Sequence, residues 1–391
     1  NKKIPKVGII SPFIPSSSIS KSPEGLTFIS ELKKGYDVAI IPYFTNSLPE
    51  DLDSIILLGA NILQEDMLAK IDRHVMSGKS LIVLLDSFYR IKTSNNSTSI
   101  SPSEKINDIS DLLFRYGIKF MGDDVYGDMN LSSPVSDLNQ NSLSYPYWLR
   151  IRDSGFSKNH PATASLNELL MVEPGRLKKV KNSNFQKIVF TTKESGSKPK
   201  EEFISKKPQQ LALEFESNQE ESIIAAMTQG PFESVFESTN DENLSEKSSI
   251  FAVSDADWIF DPFSLQKQRA GDQIMTRPLN DNINFLLNMV EYASSDDSLI
   301  HIRSKANPQR SFVRVSDLFK EVEGRIRSEE LMISQEVSIL EQKLIQLTPK
   351  GDINYKDIPR DLRNELNQVG EKLMESRKKL RKIRYKIREE V

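Results

Sequence analysis

Residues 54–86, SIILLGANILQEDMLAKIDRHVMSGKSLIVLLD, decide the fold class of this chain. Two continuous apolar runs, over residues 55–58 and 81–85, enclose a segment whose apolar residues between 67 and 75 recur at helical spacing. The pattern predicts a strand, a helix and a second strand, with Asp86 at the carboxyl end of the second strand. Uninterrupted apolar strands are typical of a parallel sheet that is covered by helices on both faces.

The same alternation extends in both directions along the chain. It predicts an α/β domain over residues 1–304, built on a doubly wound, mostly parallel sheet. Further strands are predicted over residues 7–10, 38–41, 118–121, 185–191, 223–227 and 250–253, and further helices over residues 26–32, 108–116 and 283–292.

The middle of this domain is less regular, and we expect an irregular insert around residues 123–215. Stretches rich in Ser, Asn, Asp, Gly and Pro favour turns and loops over regular structure. The predicted loops cover residues 91–103 and 123–144, a predicted hairpin covers residues 169–180, and a predicted mobile segment covers residues 194–207.

The last part of the chain has a different periodicity. Apolar residues recur at steps of three and four on both sides of a breaker at residues 348–352, and this spacing predicts two long helices. We therefore predict an antiparallel, coiled-coil-like helical hairpin over residues 305–391. It would be a simple stalk, or a connection that docks a partner or transmits force to a membrane. Its predicted seam consists of Ile333, Val337, Leu340, Leu344 and Leu347 in the first helix, and of Leu366, Val369, Leu373, Leu380, Ile383 and Ile387 in the second.

The composition of the chain excludes several kinds of functional site. The chain has a formal net charge of −3 and no cysteine, which excludes disulfides, thiolate metal sites and cysteine nucleophiles. It has three histidines, His74, His160 and His301, which lie far apart in the sequence and do not suggest a histidine-rich metal site. No apolar run approaches the length of a membrane span. Because the first residue is Asn1, we expect the chain to be part of a longer protein.

Two motifs resemble cofactor or nucleophile sites and do not fit them. Gly78-Lys79-Ser80 lacks the upstream glycine of a phosphate loop, and it lies between a helix and a strand in the wrong order. Ser87, beside Asp86 at a strand end, lacks the flanking glycines of a hydrolase nucleophile. With no GxGxxG motif after the first strand, we expect no cofactor.

Three carboxylates follow the predicted strand at residues 250–253. Asp255, Asp257 and Asp261 would lie at the edge of a parallel sheet where ligands usually bind. Carboxylates at this spacing are able to gather around Mg²⁺ or Ca²⁺. The alternative is that they accept backbone N–H bonds and stabilise a turn. The aromatic residues interleaved with them favour the turn.

Other candidates for ligand or partner contact lie outside this cluster. Asp86 ends a strand, and Tyr145 and Trp148 belong to an aromatic run that would stack on a ligand or fill a core or an interface. Basic residues are concentrated over residues 377–388 of the second hairpin helix. They would form a solvated face or meet lipid headgroups. Nucleic acid is disfavoured, because few aromatic residues interleave with these cations.

An ordered set of short segments resembles the auxiliary-component family of ABC transport systems, which includes the gliding-motility GldG-type proteins. The segments are residues 71–79 (IDRHVMSGK), Tyr116-Gly117, residues 145–149 (YPYWL), 225–232 (AAMTQGPF), 254–258 (SDADW), 284–292 (NFLLNMVEY), 299–304 (LIHIRS) and 310–312 (RSF). The resemblance implies an extracytoplasmic domain with an amidotransferase-like or flavodoxin-like sheet. It also implies transmembrane helices outside this sequence and assembly with a permease and an ATPase subunit.

We therefore expect a non-enzymatic subunit on the periplasmic face of the inner membrane, which binds a substrate or partner and is coupled to the membrane part through the hairpin. The alternative is a metal-dependent enzyme that acts on glycans or phosphorylated substrates with Asp255, Asp257 and Asp261.

Overall fold

The computed structural model describes residues 4–14, 25–43, 45–60, 62–91, 106–136, 142–236, 244–270, 273–294, 332–344 and 359–389. The strands are β1 (Lys6–Ile10), β2 (Asp37–Ile41), β3 (Ser54–Leu58), β4 (Ile62–Gln64), β5 (Ser80–Leu84), β6 (Ile106–Asp108), β7 (Ile118–Met121), β8 (Asp124–Asp128), β9 (Ser132–Ser136), β10 (Ser142–Ile151), β11 (Leu169–Val172), β12 (Arg176–Lys179), β13 (Phe185–Phe190), β14 (Ser195–Pro199), β15 (Ile223–Gln229), β16 (Ser249–Val253), β17 (Leu265–Ala270) and β18 (Gln273–Pro278). The helices are α1 (Thr27–Leu32), α2 (Glu65–Met76), α3 (Ile109–Arg115), α4 (Glu202–Ser205), α5 (Pro208–Leu213), α6 (Asp261–Ser264), α7 (Asn282–Ser294), α8 (residues 332–344) and α9 (Arg360–Glu389).

Contacts divide the chain into two units. The first comprises Asn1–Asp137 and Ser144–Lys305, and the second comprises Leu138–Leu143 and Ala306–Val391. We call them the α/β unit and the helical unit.

The α/β unit is organised around a nine-stranded sheet with the order β2-β1-β3-β5-β16-β15-β12-β7, in which β13 also pairs with β15. The first five strands in this order are parallel to one another. From there the sheet continues with the antiparallel pairs β16–β15, β15–β12 and β12–β7. The prediction of a mixed α/β fold with a largely parallel sheet is therefore confirmed, and the antiparallel extension is an addition to it.

Both faces of the sheet are covered, which explains the uninterrupted apolar strands. Within β5, Leu81 and Val83 pack into one apolar cluster together with α2 and α3. Ile82 and Leu84 pack into the other cluster together with α1 and α7. Since successive side chains of a strand point to opposite faces, each strand contributes to two cores.

Three local predictions were wrong. Residues 123–144 contain β8, β9 and the start of β10 rather than only loops, and the segment predicted to be mobile contains β14 and α4. The predicted hairpin over residues 169–180 does not form, because β11 pairs with β10 while β12 pairs with β7 and β15. The pairs β8–β14 and β7–β12 join segments that are far apart in the chain, and local composition does not reveal such pairing. Most of the loop predicted over residues 91–103 lies outside the described residues.

The helical unit contains a packed helix pair. Val337 of α8 and Leu373 and Leu380 of α9 form its apolar seam. Lys343 near the end of α8 pairs with Glu365 near the start of α9 at 3.0 Å, whereas Ser376 donates to Glu336 at 3.2 Å. The two helices are therefore antiparallel. Residues 315–331 and 345–358 lie outside the described residues, so the full length of the hairpin stays a prediction.

Candidate functional site

Two neighbouring parallel strands bring the predicted site residues together. The backbone N–H of Leu85, just after β5, donates to the carbonyl of Val253 at the end of β16 at 2.8 Å. Asp86 and Asp255, each two residues beyond its strand, consequently lie at the same carboxyl edge of the sheet. This edge is where ligands usually bind in open α/β sheets.

The Asp86 carboxylate is buried and bound to the backbone. It accepts hydrogen bonds from the N–H of Ala256 at 3.0 Å and from the N–H of Phe88 at 2.8 Å. Burial raises the pKa of Asp86 well above its ordinary value, and the charges of Asp255 and Asp257 raise it further. Asp86 therefore links the loop after β5 to the loop after β16.

Asp255 stabilises its own turn. One carboxylate oxygen accepts from the N–H of Asp257 at 2.8 Å and from the N–H of Trp258 at 3.3 Å, and the other accepts from the N–H of Val172. Burial raises the pKa of this carboxyl well above its usual range, with a further contribution from Asp257. The interpretation of Asp255 as a turn-stabilising residue fits this geometry better than a metal ligand.

Asp257 holds the chain where it leaves the loop after β5. Its carboxylate accepts hydrogen bonds from the N–H groups of Arg90 and Ile91, the latter at 3.1 Å. Burial raises the pKa of Asp257 to about 7, and the negative charge of Glu173 acts in the same direction.

The sequence interpretation missed the ion pair at the centre of this edge. Arg90 donates through Nε and Nη2 to the two carboxylate oxygens of Glu173, with an Nε–Oε2 distance of 2.6 Å. Tyr145 adds a hydrogen bond from its hydroxyl to Glu173 at 2.7 Å. The guanidinium carbon of Arg90 also lies 5.1 Å from the centre of the Phe88 ring. We call Arg90, Glu173 and Tyr145 the edge lock.

Glu173 adopts an unusual backbone conformation for a non-glycine residue, with φ of 53°. Such a conformation costs of the order of 1 kcal/mol or more and persists only when the surroundings hold it. Here its N–H donates to the carbonyl of Tyr147 at 2.8 Å, and its side chain is fully buried. The one sequence signal at this position was the Pro174-Gly175 turn that follows it, and nothing singled out Arg90.

Two predicted residues do not join this cluster. Asp261 accepts from the N–H and hydroxyl of Thr27, at 2.8 and 2.9 Å, and so fixes the start of α1. Trp148 packs edge-on against Phe263, with ring centres 5.5 Å apart, and lies 6.3 Å from the Tyr145 ring. A packing role fits Trp148.

Buried polar contacts join three loops at this edge, namely those that follow β5, β11 and β16. Asp86, Asp255 and Asp257 direct carboxylate oxygens to backbone N–H groups, and Glu173 directs its own to Arg90. Among the residues that the structure describes, no three His, Asp or Glu side chains are grouped so that they could hold a metal ion. Within those same residues, no helix has the length and apolar character needed to cross a membrane.

The fold and this edge define a mixed α/β protein whose sheet edge is closed by carboxylate–backbone contacts and an ion pair. The family described as ABC-type uncharacterized transport system matches residues 5–289, and the chain belongs to this family. The resemblance inferred from the sequence is confirmed at this level, so the protein is an auxiliary component of an ABC transport system. Kinship with the gliding-motility type stays a prediction.

Two further comparisons give less. No curated protein matches the chain. Among solved structures, the chain is similar to a ThuA-like protein from Bacteroides uniformis, with 11% identity and a TM-score of 0.37, over 76% of this chain and 96% of that one.

Proposed function

We propose that the chain is a non-enzymatic, extracytoplasmic auxiliary subunit that binds a substrate or partner and is coupled to the membrane part of its ABC system through the helical unit. The non-enzymatic part of this proposal rests on the contacts that the acidic residues make at the carboxyl edge of the sheet. Its carboxylates are bound to backbone N–H groups and to Arg90, and a catalytic acid or base needs free access to a substrate proton.

The helical unit supports the coupling half of the proposal. Two antiparallel helices with an apolar seam form a stiff connector, because bending them would separate buried side chains. The partners proposed are the permease and ATPase subunits. We place the α/β unit on the periplasmic face of the inner membrane, with transmembrane helices outside this sequence. Lipid headgroups would lie near the cation-rich residues 377–388 of α9.

Co-purification tests the coupling half. The protein would be co-expressed with the permease and ATPase subunits of its ABC system and isolated through a tag in mild detergent. We expect both subunits to co-purify, and we expect Leu373→Asp with Leu380→Asp to abolish this by opening the seam. Met374→Asp, beside the seam at an exposed position, is the matched control. Absence of both subunits from the wild-type preparation would contradict the proposal.

Calorimetry tests the non-enzymatic half against the metal-dependent enzyme. The chain would be titrated with Mg²⁺, Ca²⁺ and Mn²⁺ at neutral pH. We expect no saturable binding at millimolar concentrations. Saturable binding that Asp257→Asn abolishes would overturn this half and favour the enzyme.

A further inference from the structure

Positive charges are concentrated at one end of the β7–β12 ladder. The register places Lys119 of β7 directly opposite Lys178 of β12, and both side chains are exposed. Like charges directly opposite each other in a sheet are destabilising. Glu220 interacts electrostatically with Lys178, but it already forms an ion pair with Arg176. The fold therefore keeps a repulsive pair on its surface.

Other basic residues extend this pair around the end of the ladder. The N–H of Val180, just after β12, donates to the carbonyl of Gly117 at 3.0 Å, which joins the end of β12 to the turn between α3 and β7. That end also carries one exposed aromatic ring, the Phe114 side chain, which is 48% exposed. We call the whole set the basic end: Phe114, Arg115, Lys119, Lys178, Lys179 and Lys181.

Four of the five cations of the basic end form no ion pair with a described residue. Within the described part of the chain, neither Arg115 nor Lys119 forms an ion pair, and the same holds for Lys179 and Lys181. By contrast, Lys187 on the nearby strand β13 is matched by Glu221 at 2.6 Å. The chain as a whole has a net charge of −3, so this local excess of positive charge does not follow from composition.

We propose that the basic end binds the anionic headgroups of a phospholipid membrane. Its cations are mostly lysines, which act as point charges toward phosphate, whereas shape-specific recognition of a carboxylate usually employs the planar fork of arginine. An exposed aromatic ring among lysines is suited to the boundary between headgroups and acyl chains. The inference concerns the α/β unit and does not depend on the proposed coupling through the helical unit.

The size of the effect follows from electrostatics. Each Lys or Arg near an anionic membrane strengthens binding by roughly fivefold, and the attraction acts within a screening length of about 8 Å at physiological salt. Reversing two lysines of the basic end is therefore expected to weaken vesicle binding roughly 100-fold or more. The same change should leave folding intact, since Lys178→Glu converts a repulsive cross-strand pair into an attractive one.

Vesicle co-sedimentation of the full chain tests the proposal. The wild type is expected to sediment with phosphatidylcholine vesicles that contain about one third phosphatidylglycerol, to remain soluble with pure phosphatidylcholine, and to be released in about 0.5 M NaCl. The double variant Lys178→Glu with Lys179→Glu is expected to remain soluble in all three conditions. Tryptophan fluorescence verifies that the variant is folded.

Two control variants make the result decisive. Lys33→Glu with Lys158→Glu changes the net charge equally at exposed positions away from the basic end, and should still sediment. Lys378→Glu with Lys382→Glu alters α9 and shows whether the helical unit binds vesicles on its own. Equal sedimentation of the wild type and the Lys178→Glu with Lys179→Glu variant would overturn the proposal. So would retention on immobilised poly-glutamate by a wild type that binds no vesicles, since this would indicate an acidic protein partner.

Discussion

The α/β unit and the helical unit each contain an arginine–glutamate pair, and the two pairs differ in their surroundings. In the edge lock, Glu173 is fully buried and Arg90 is 34% exposed. In the helix pair, Glu341 and Arg377 are 41% and 53% exposed. Arg90 donates to both oxygens of its partner, whereas both contacts of Arg377 go to one oxygen.

The same two side-chain types therefore contribute differently to stability, depending on how far each pair is buried. A pair in water gains little, because solvent screens it and both side chains lose freedom. A buried pair is costly to assemble and very costly to break, because the remaining partner stays desolvated. The edge lock therefore stabilises the arrangement of the loops that it joins. The exposed pair helps to orient α8 and α9, whereas burial of apolar side chains holds these two helices together.

The largest expected effect is that of Glu173→Ala. It leaves the Arg90 guanidinium without its carboxylate partner and removes the acceptor of the Tyr145 hydroxyl. The expected cost is about 3 kcal/mol in the free energy of unfolding, the low end for a buried pair because Arg90 is about one third exposed. Urea denaturation followed by tryptophan fluorescence measures this, since both tryptophans, Trp148 and Trp258, belong to the α/β unit. Glu173→Gln is the matched control, because it keeps an acceptor and should cost less. A loss below about 1 kcal/mol for the alanine variant would mean that the ion pair is not held as described.

The second effect is the loss of folding stability at acidic pH. Burial lowers the pKa of His160 to about 4, so the unfolded chain takes up a proton before the folded protein does. The contribution of His160 is fully present above pH 6.5, and about 3 kcal/mol of it is lost as the pH falls towards 4.

Urea denaturation at pH 7 and pH 5 measures the part of this loss that is complete by pH 5, about 2 kcal/mol, and His160→Gln should reduce the difference between the two pH values. Burial likewise lowers the pKa of His74 to about 4, so the variant should keep part of the pH dependence. An unchanged dependence in the variant would contradict the assignment. Since no histidine lies in the described helices of the helical unit, the helicity of these helices should change less between pH 7 and pH 5.

The third effect concerns the seam of the helix pair. Leu373→Ala removes a side chain that is 5% exposed, and we expect a cost of about 2 kcal/mol, at the low end for such a change because the seam is thin. Circular dichroism at 222 nm during thermal unfolding would detect loss of the helix pair. Met374→Ala, at a neighbouring position that is 73% exposed, is the control and should cost less than about 0.5 kcal/mol. Equal costs for the two variants would show that α8 and α9 do not pack through this seam.

The smallest effect is expected at the exposed pair. Glu341→Ala should change the free energy of unfolding by about 0.5 kcal/mol or less at low salt, and by nothing measurable at 1 M NaCl. The same urea series, followed by circular dichroism, measures it at both salt concentrations. A cost comparable to that of Glu173→Ala would break the comparison, because exposure would then not determine the strength of the pair.

Much of the α/β core was accessible from the sequence. The strands β1, β3, β5 and β16 are continuous apolar runs, and helical spacing identified α2, α3 and α7, because these elements bury whole faces. The strands β8, β9 and β14 were missed. Their sequences are rich in polar residues, and β8 and β14 are stabilised by each other across a long stretch of chain, as in the pairing of Ser195 with Asp128. The strand β11, predicted in a hairpin, pairs with β10 instead.

The site was predicted in part. Asp86, Asp255 and Asp257 were recognisable because each follows a buried strand at the edge where parallel strands end. Tyr145 was singled out as an aromatic residue, without its partner. Arg90 and Glu173, separated by 83 residues, carry no local pattern.

The sequence by itself determined that this chain buries two apolar faces of a largely parallel sheet and ends in helices with apolar seams, because the period of apolar residues follows directly from backbone geometry. Only the tertiary structure decided the order of the strands, the antiparallel extension, and the use of the acidic residues as loop-joining groups. Those outcomes depend on which distant segments meet, and a buried charge shows its role only when its partner is in place.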